Sequence, residues 1–214
     1  GGHAGTVRLL HARGAEVAPR NGDGLTALHM AAENGHDAVV QLLLELGADI
    51  VAAAADGRTA VMSAASQGRA ATVQLLSSRG ADAAAAATDG TTALMQAAGG
   101  GHTEAVRALL RLGCGVDERD GEGRTALLHA AAGGHCGTIT ALRTAGADAT
   151  AAAADGRTAV MLAAEGGHTA AVLLLFELGV RADAAAGDGT TALMLAAGNG
   201  HEETLRGARR HRSE

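Results

Sequence analysis

The sequence predicts an all-α fold, a solenoid of stacked helix-turn-helix repeats with a 33-residue period and short finger loops. Three observations predict it: a segment that occurs twice, glycines in fixed registers, and apolar residues at helical spacing. The segment AAAADGRTAVM occupies residues 52–62 and returns 99 residues later at 151–161. Because 99 is three times 33, the spacing indicates a 33-residue unit, and that period holds along the chain without insertion or deletion.

Each unit opens with an acidic residue, a glycine and then Thr-Ala two places further on. The acidic residues are Asp23, Asp56, Asp89, Glu122, Asp155 and Asp188. A threonine hydroxyl at this place can cap the first free amides of a helix, so a short helix is predicted after each one. The threonines are Thr26, Thr59, Thr92, Thr125, Thr158 and Thr191.

Glycines end this first helix and the second helix that follows it. A Gly-His pair recurs every 33 residues, with Gly68-Arg69 as the variant copy, and a further glycine register runs from Gly14 to Gly179. Glycine can adopt the left-handed conformation that ends a helix. Between these glycines, apolar residues such as Val40, Leu43 and Leu44 recur at helical spacing. Helices of under a dozen residues are not stable alone, so stacking must stabilise them.

Composition excludes several classes of function. With 47% hydrophobic residues but a single Phe and no Trp or Tyr, the core must be built from Leu, Val, Met and Ala. The net charge of -6 disfavours a nucleic-acid partner. No apolar run approaches the roughly 20 residues that a membrane-spanning helix needs. Two cysteines do not form a disulfide framework, so we expect an intracellular protein, cytoplasmic by default with the nucleus left open.

The pattern Asp-Gly-x-Thr-Ala-Leu-Met-x-Ala-Ala-x-x-Gly-His, followed by an apolar helix and Leu-Gly-Ala-Asp, resembles the ankyrin repeat over essentially the whole chain. The chain is therefore interpreted as a single ankyrin repeat domain over residues 1–214. It would comprise a half repeat at 1–20, repeats at 21–53, 54–86, 87–119, 120–152 and 153–185, and a terminal repeat at 186–214. The half repeat leads us to expect that the array is part of a longer chain.

The sequence departs from the family pattern in three places. Where ankyrin repeats usually carry Thr-Pro-Leu-His, alanine occupies all six proline positions, so these helix starts lose some pre-organisation. The histidine of that motif survives only as His29 and is elsewhere Met or Leu. The loop ends at 51–55 and 83–87 are nearly all alanine, which predicts partly helical or loosely formed fingers.

The candidate chemical groups favour structural roles. Six histidines occupy one repeat position, but stacked helices lie roughly 8–10 Å apart, too far for side chains that share one metal ion. The resemblance implies instead that these histidines support the turn between helices. Cys114 and Cys136 are expected to be free thiols without catalytic roles, and the finger acids to accept hydrogen bonds within their turns. We therefore predict no enzyme activity, no metal site and no cofactor.

The resemblance implies a scaffold for protein–protein interaction that binds a protein or peptide on the concave surface of fingers and inner helices. The predicted finger contacts are Asp56, Arg58, Asp89, Thr91, Glu122, Arg124, Asp155 and Arg157. The predicted inner-helix contacts are Glu33, Asn34, Ser66, Gln67 and Glu165. The identity of the protein partner stays open, and we expect a monomer that binds no nucleic acid and does not insert into membranes.

Two other functions stay open at this stage. The array could be a structural spacer or regulatory segment of a larger enzyme or channel, and, more remotely, an enzyme in its own right. The arginines of the tail, Arg206, Arg209, Arg210 and Arg212, are interpreted as part of a solubilising cap, because four arginines without aromatic neighbours are weak evidence for nucleic acid.

Overall fold

The computed structural model describes residues 2–210, except for the side chains of residues 207–210. The predicted solubilising cap lies mostly outside this description, because it includes the side chains of Arg209 and Arg210 and the whole of Arg212. Within the described part of the chain there are thirteen helices and no strand, only four isolated β-bridges. The prediction of an all-α repeat fold is confirmed.

Short inner helices alternate with longer outer helices along the chain. The helices are α1 (Ala4–Ala12), α2 (Ala27–Glu33), α3 (Asp37–Glu45), α4 (Ala60–Ser66), α5 (Ala70–Ser78), α6 (Ala93–Gly99), α7 (Thr103–Arg111), α8 (Ala126–Ala132), α9 (Cys136–Thr144), α10 (Ala159–Glu165), α11 (Thr169–Glu177), α12 (Ala192–Gly198) and α13 (Glu202–Arg210). Even-numbered helices are the inner helices of the repeats, and α2, α4, α8, α10 and α12 each pack against the outer helix that follows.

The described residues form two compact units. One contains the residues up to Ala97 together with Glu104–Gly115, and the other contains Ala98–Thr103 together with the residues from Val116 onward. In the first unit α2 packs on α4, and in the second α10 packs on both α8 and α12. The single domain over residues 1–214 and the repeat boundaries stay predictions.

Each inner helix begins at the alanine that replaces proline, directly after the predicted threonine cap. The hydroxyls of Thr59, Thr92, Thr125 and Thr191 each accept a hydrogen bond from the backbone N–H three residues further on, at 3.4 Å. The hydroxyl of Thr158 is buried without a partner among the described residues. The helices therefore start where the sequence predicts, even without proline to fix the first backbone angle.

The core consists of small and medium aliphatic side chains, as the composition predicts. On the inner helix α4, Met62, Ala64 and Ala65 have no exposed surface, and on the outer helix α5 the same is true of Val73 and Leu76. Alanine pairs on the inner helices let neighbouring backbones approach closely, and the leucines of the outer helices fill the remaining space.

Three of the recurring histidines join their repeats to the repeats before them. In the second unit the Nε2–H groups of His135, His168 and His201 donate to the carbonyl oxygens of Gly99, Ala132 and Glu165, 36 residues earlier, at 2.9–3.0 Å. In the first unit Arg69 replaces the histidine, and its Nε–H donates to the carbonyl of Glu33 at 3.1 Å. The resemblance implied that these residues support the turn between their own two helices. Their side chains also satisfy the last carbonyls of the preceding inner helix.

The expectation of partly helical fingers is wrong. Antiparallel bridges pair Ala53 with Thr59, Ala86 with Thr92, Ala152 with Thr158, and Ala185 with Thr191. The backbone N–H of Ala54 donates to the Arg58 carbonyl at 2.8 Å, and that of Ala55 donates to the Asp23 carbonyl of the preceding finger at 3.0 Å. These main-chain bonds outweigh the helix propensity of alanine, which amounts to under about 1 kcal/mol per residue.

Two glycines with similar positive φ angles differ in the space around them, so their variants distinguish backbone strain from steric conflict. Gly47 and Gly57 have φ angles of 88° and 84°, but a Cβ atom added at Gly47 meets no atom within 4 Å, whereas one at Gly57 would lie 2.7 Å from the Thr88 backbone nitrogen. We expect Gly47→Ala to lower the free energy of unfolding by about 1 kcal/mol through strain alone. Gly57→Ala should lower it by about 2 kcal/mol more, because the adjoining finger must move. Urea unfolding of the two variants measures the difference, and equal losses would contradict the close approach.

His29 ties the first finger to the second. The Thr26 backbone N–H donates to its Nδ1 at 3.2 Å, and its Nε2–H donates to the Arg58 carbonyl at 3.0 Å. Both ring nitrogens are therefore used by the neutral form. Burial is the main cause that lowers the pKa of His29 below its ordinary value of 6.5. In the third repeat Met95 occupies the same place, and its sulfur accepts from the Thr92 N–H at 3.5 Å.

Because the unfolded state takes up a proton at His29 first, the protein should lose stability as the pH falls from about 6.5 towards the lower folded-state pKa. We expect His29→Met to reduce the drop in unfolding free energy between pH 7.5 and pH 5.5. Urea midpoints of the two proteins at both pH values test this, and the remaining histidines cancel in the comparison. An unchanged pH dependence in the variant would show that His29 does not titrate differently on folding.

Candidate functional site

In four of the fingers, the acidic residue fixes the turn beneath it. The Oδ1 atoms of Asp56 and Asp155 accept the backbone N–H of Arg58 and Arg157 at 3.0 and 2.9 Å. Asp89 and Asp188 do the same for the residue two places further on. Bonds from Thr190, the backbone N–H first, lower the pKa of Asp188. The predicted role of these four aspartates in the turn is confirmed.

Two fingers use a different acceptor, placed earlier in the turn. The Oδ1 of Asp120 accepts the N–H groups of both Glu122 and Arg124, at 3.0 and 2.8 Å, and Asn21 does the same in the first finger. In these two turns the acceptors are therefore Asn21 and Asp120, not the predicted Asp23 and Glu122. Both neighbours stand where the other repeats have alanine, which is the signal in the sequence that could have identified them.

The three finger arginines are held by acidic residues of their own repeats. Arg58 Nη2 lies 3.4 Å from Asp56 Oδ2, and Arg124 Nε lies 3.1 Å from Glu122 Oε2. Arg157 has two partners: Asp155 Oδ2 at 3.4 Å from its Nε, and Glu165 Oε2 at 2.7 Å from its Nη1. The structure thus brings together three sets of predicted contact residues. They are Asp56 with Arg58, Glu122 with Arg124, and Asp155 with Arg157 and Glu165.

Exposure divides the members of these pairs. The carboxylate side chains of Asp56, Glu122 and Asp155 are 59%, 70% and 54% exposed, whereas the three arginines are 30–32% exposed. The stems of the arginines therefore lie against the fingers, and the carboxylates extend further into solvent.

Asp56, Arg58 and Asp89 also line one cleft in the first unit. Its volume is about 460 Å³, and its lining is completed by Ala55, Ala87, Thr88 and Gln96. Arg58 Nε and Gln96 Oε1 are buried atoms without a hydrogen-bond partner among the described residues. An unsatisfied buried polar atom costs about 1–3 kcal/mol, so a hydrogen bond to either atom would stabilise the fold. No pattern in the sequence selects Gln96, because the same place in the other repeats holds Met30, Ser63, His129, Leu162 and Leu195.

The predicted contacts on the inner helices are arranged less uniformly. The Asn34 amide donates to the Met30 carbonyl at 2.8 Å, and the Ser66 hydroxyl donates to the Ser63 carbonyl at 2.9 Å. These two side chains are thus turned back on their own helices, and Gln67 is exposed at the end of α4. Thr91 and Glu33 are partly buried. Only Glu165 makes a charged contact with a finger.

A buried pair that the sequence did not predict lies at the base of the fourth finger. His129 Nε2 lies 2.7 Å from Asp120 Oδ2, and the side chains are 25% and 7% exposed. Asp120 therefore joins the inner helix α8 to the turn that carries Glu122 and Arg124.

The two cysteine thiols are not joined in a disulfide. Cys114 and Cys136 are both free, as predicted. Cys114 is buried, its Sγ–H donates to the Ala83 carbonyl at 3.3 Å, and burial raises the pKa of this thiol, so it stays protonated at neutral pH. Within residues 2–210, no three His, Cys, Asp or Glu side chains come together in a way that could hold a metal ion.

The helices of the described chain are all short. None of the thirteen helices has both the length and the apolar composition required to cross a bilayer.

The architecture is that of a helical repeat protein: inner helix, tight turn, outer helix and a finger that pairs with the finger before it. A family model described as ankyrin repeats matches the chain three times, over residues 1–87, 83–153 and 134–207. The chain belongs to the ankyrin repeat family, as its sequence pattern predicts. No curated protein matches the chain. Ankyrin repeats are in general modules for protein–protein interaction and are typically not catalytic.

Proposed function

We propose that the chain is a non-catalytic interaction module that binds a protein or peptide through its finger tips and the adjoining ends of its inner helices. The family supports the general role. The choice of surface rests on one observation: the groups that hold each finger in shape differ from the groups that it exposes. Main-chain bonds hold the finger in shape, while the charged ends of Asp56, Glu122 and Asp155 stay more than half exposed.

This arrangement suits recognition for a physical reason. Because the fingers are fixed before a partner arrives, binding does not have to order a loop, and less free energy is lost on association. The outer helices offer charges too, but these are ordinary solvated pairs such as Arg107 with Glu104, at 3.8 Å.

A test of the surface uses peptides selected from a displayed random library against the full chain. The finger variant carries D56N, R58Q, E122Q, R124Q, D155N and R157Q, which removes the charged groups while it keeps the turn acceptors and the net charge. We expect the selected peptides to bind this variant at least about tenfold more weakly, because a few charged or aromatic contacts dominate most interfaces.

A matched control places the same six kinds of substitution away from the fingers. The control variant carries D49N, R79Q, D82N, R111Q, E104Q and R107Q, all at exposed positions on the outer helices or the loops after them. Its affinity should stay within about twofold of the wild type. Equal weakening of both variants, or a finger variant that binds like the wild type, would refute the proposed surface.

A further inference from the structure

The eleven-residue segment that occurs twice builds the same finger in both units. Arg58 and Arg157 hold the same position, and each lies 3.4 Å from the aspartate two places before it. Their exposed fractions are 32% and 30%. The chain therefore contains the same arginine in the same finger twice. The two copies differ in the residues that neighbour the finger.

The difference lies at the end of the inner helix, eight residues after each arginine. In the second unit this residue is Glu165, whose Oε2 lies 2.7 Å from Arg157 Nη1. In the first unit it is Ser66, whose hydroxyl donates to its own helix. The second unit thus shows that an arginine at this position can pair with a second carboxylate while an aspartate lies beside it.

Helix α4, the inner helix that follows Arg58, has no such carboxylate. Arg58 makes its one described ion pair at the long distance of 3.4 Å, and its Nε is buried without a partner among the described residues. The cleft beside Arg58 is lined by Gln96, and the equivalent position in the second unit is Leu195. Asp89, which also lines the cleft, has its Oδ1 bound to the Thr91 N–H at 2.9 Å.

We infer that the Arg58 cleft binds the carboxylate side chain of a Glu or Asp in the protein partner, and that Glu165 fills the same position on Arg157 from within the chain. This inference rests on the proposed function and adds the chemistry of the partner to it. An Arg–carboxylate contact is short and directional, so one acidic residue of an extended segment would be fixed at this cleft. The second unit, already occupied, would contribute surface rather than a second acidic-residue site.

The test uses two defined probes, the blocked peptides acetyl-Ala-Ala-Glu-Ala-Ala-amide and its Gln counterpart, with the full chain. The ¹H–¹⁵N signals of the arginine Nε–H groups are followed by NMR during titration, and the Arg58 signal is assigned from R58Q. We expect the Glu peptide to shift the Arg58 signal saturably, with a dissociation constant about three- to tenfold lower than that of the Gln peptide. Added salt should reduce this preference.

Two reciprocal substitutions taken from the chain itself sharpen the test. Ser66→Glu supplies the internal carboxylate and should abolish the shift at Arg58, while Glu165→Ser should make Arg157 respond to the Glu peptide. Glutamate already ends α2 and α10, at Glu33 and Glu165, so the fold should accept it at position 66. If circular dichroism nevertheless showed that S66E unfolds, R58Q decides the question: followed on the backbone amide signals of residues 54–58, the preference for the Glu peptide must disappear in this folded variant.

Equal affinity for the Glu and Gln peptides, or an undiminished shift at Arg58 in folded S66E, would overturn the inference. The outcomes separate it from the proposed function. Library peptides that depend on the fingers but show no acidic preference at Arg58 would leave the interaction role standing without this site. A Glu-specific shift at Arg58 in a protein that selects no library peptide would leave the carboxylate site standing without the interaction role.

Discussion

The structure depends on one constraint: no helix of this chain can be stable by itself. The inner helices have seven residues and the outer ones nine, well below the roughly 12–15 residues at which an isolated helix becomes marginal. Contact with the neighbouring repeat must supply the rest. The alanine pairs that permit close approach, the histidines that reach back 36 residues and the amides that join adjacent fingers all serve this contact. Repeats are therefore stabilised by their neighbours more than by their own helices.

The same constraint explains why the interior tolerates so few kinds of side chain. A large aromatic residue on an inner helix would force neighbouring repeats apart, and the chain carries only one Phe, on the outer helix α11. Methionine at the place of His29 keeps a soft acceptor near the backbone, as the contact of Met95 sulfur with the Thr92 N–H shows. Variation between repeats is thus confined to substitutions that keep the spacing between helices.

The sequence predicted the parts of the fold that depend on local rules. The threonine caps, the glycine turns and the alternation of two helices follow from residue types at fixed spacing. Local rules failed at the fingers, where alanine propensity favoured helix and pairing with the preceding finger decided otherwise. Local rules also could not predict the ion pairs of the candidate site. Ser66 and Glu165 occupy the same register, and only side-chain geometry shows that Glu165 contacts Arg157 at 2.7 Å. The partner of Asp120, nine residues along the chain, required the folded turn.

Main-chain bonds join adjacent fingers, as from the Thr88 amide to the Asp56 carbonyl and from the Gly187 amide to the Asp155 carbonyl, and side chains such as His29 add to them. Side chains at the exposed alanines of the tips, such as Ala55 and Ala154, take no part in holding the loops in place. Specificity can therefore be rewritten there, by natural selection or by grafting in the laboratory, while the scaffold stays the same. A surface of alanines is in this sense a template on which new recognition can evolve one residue at a time.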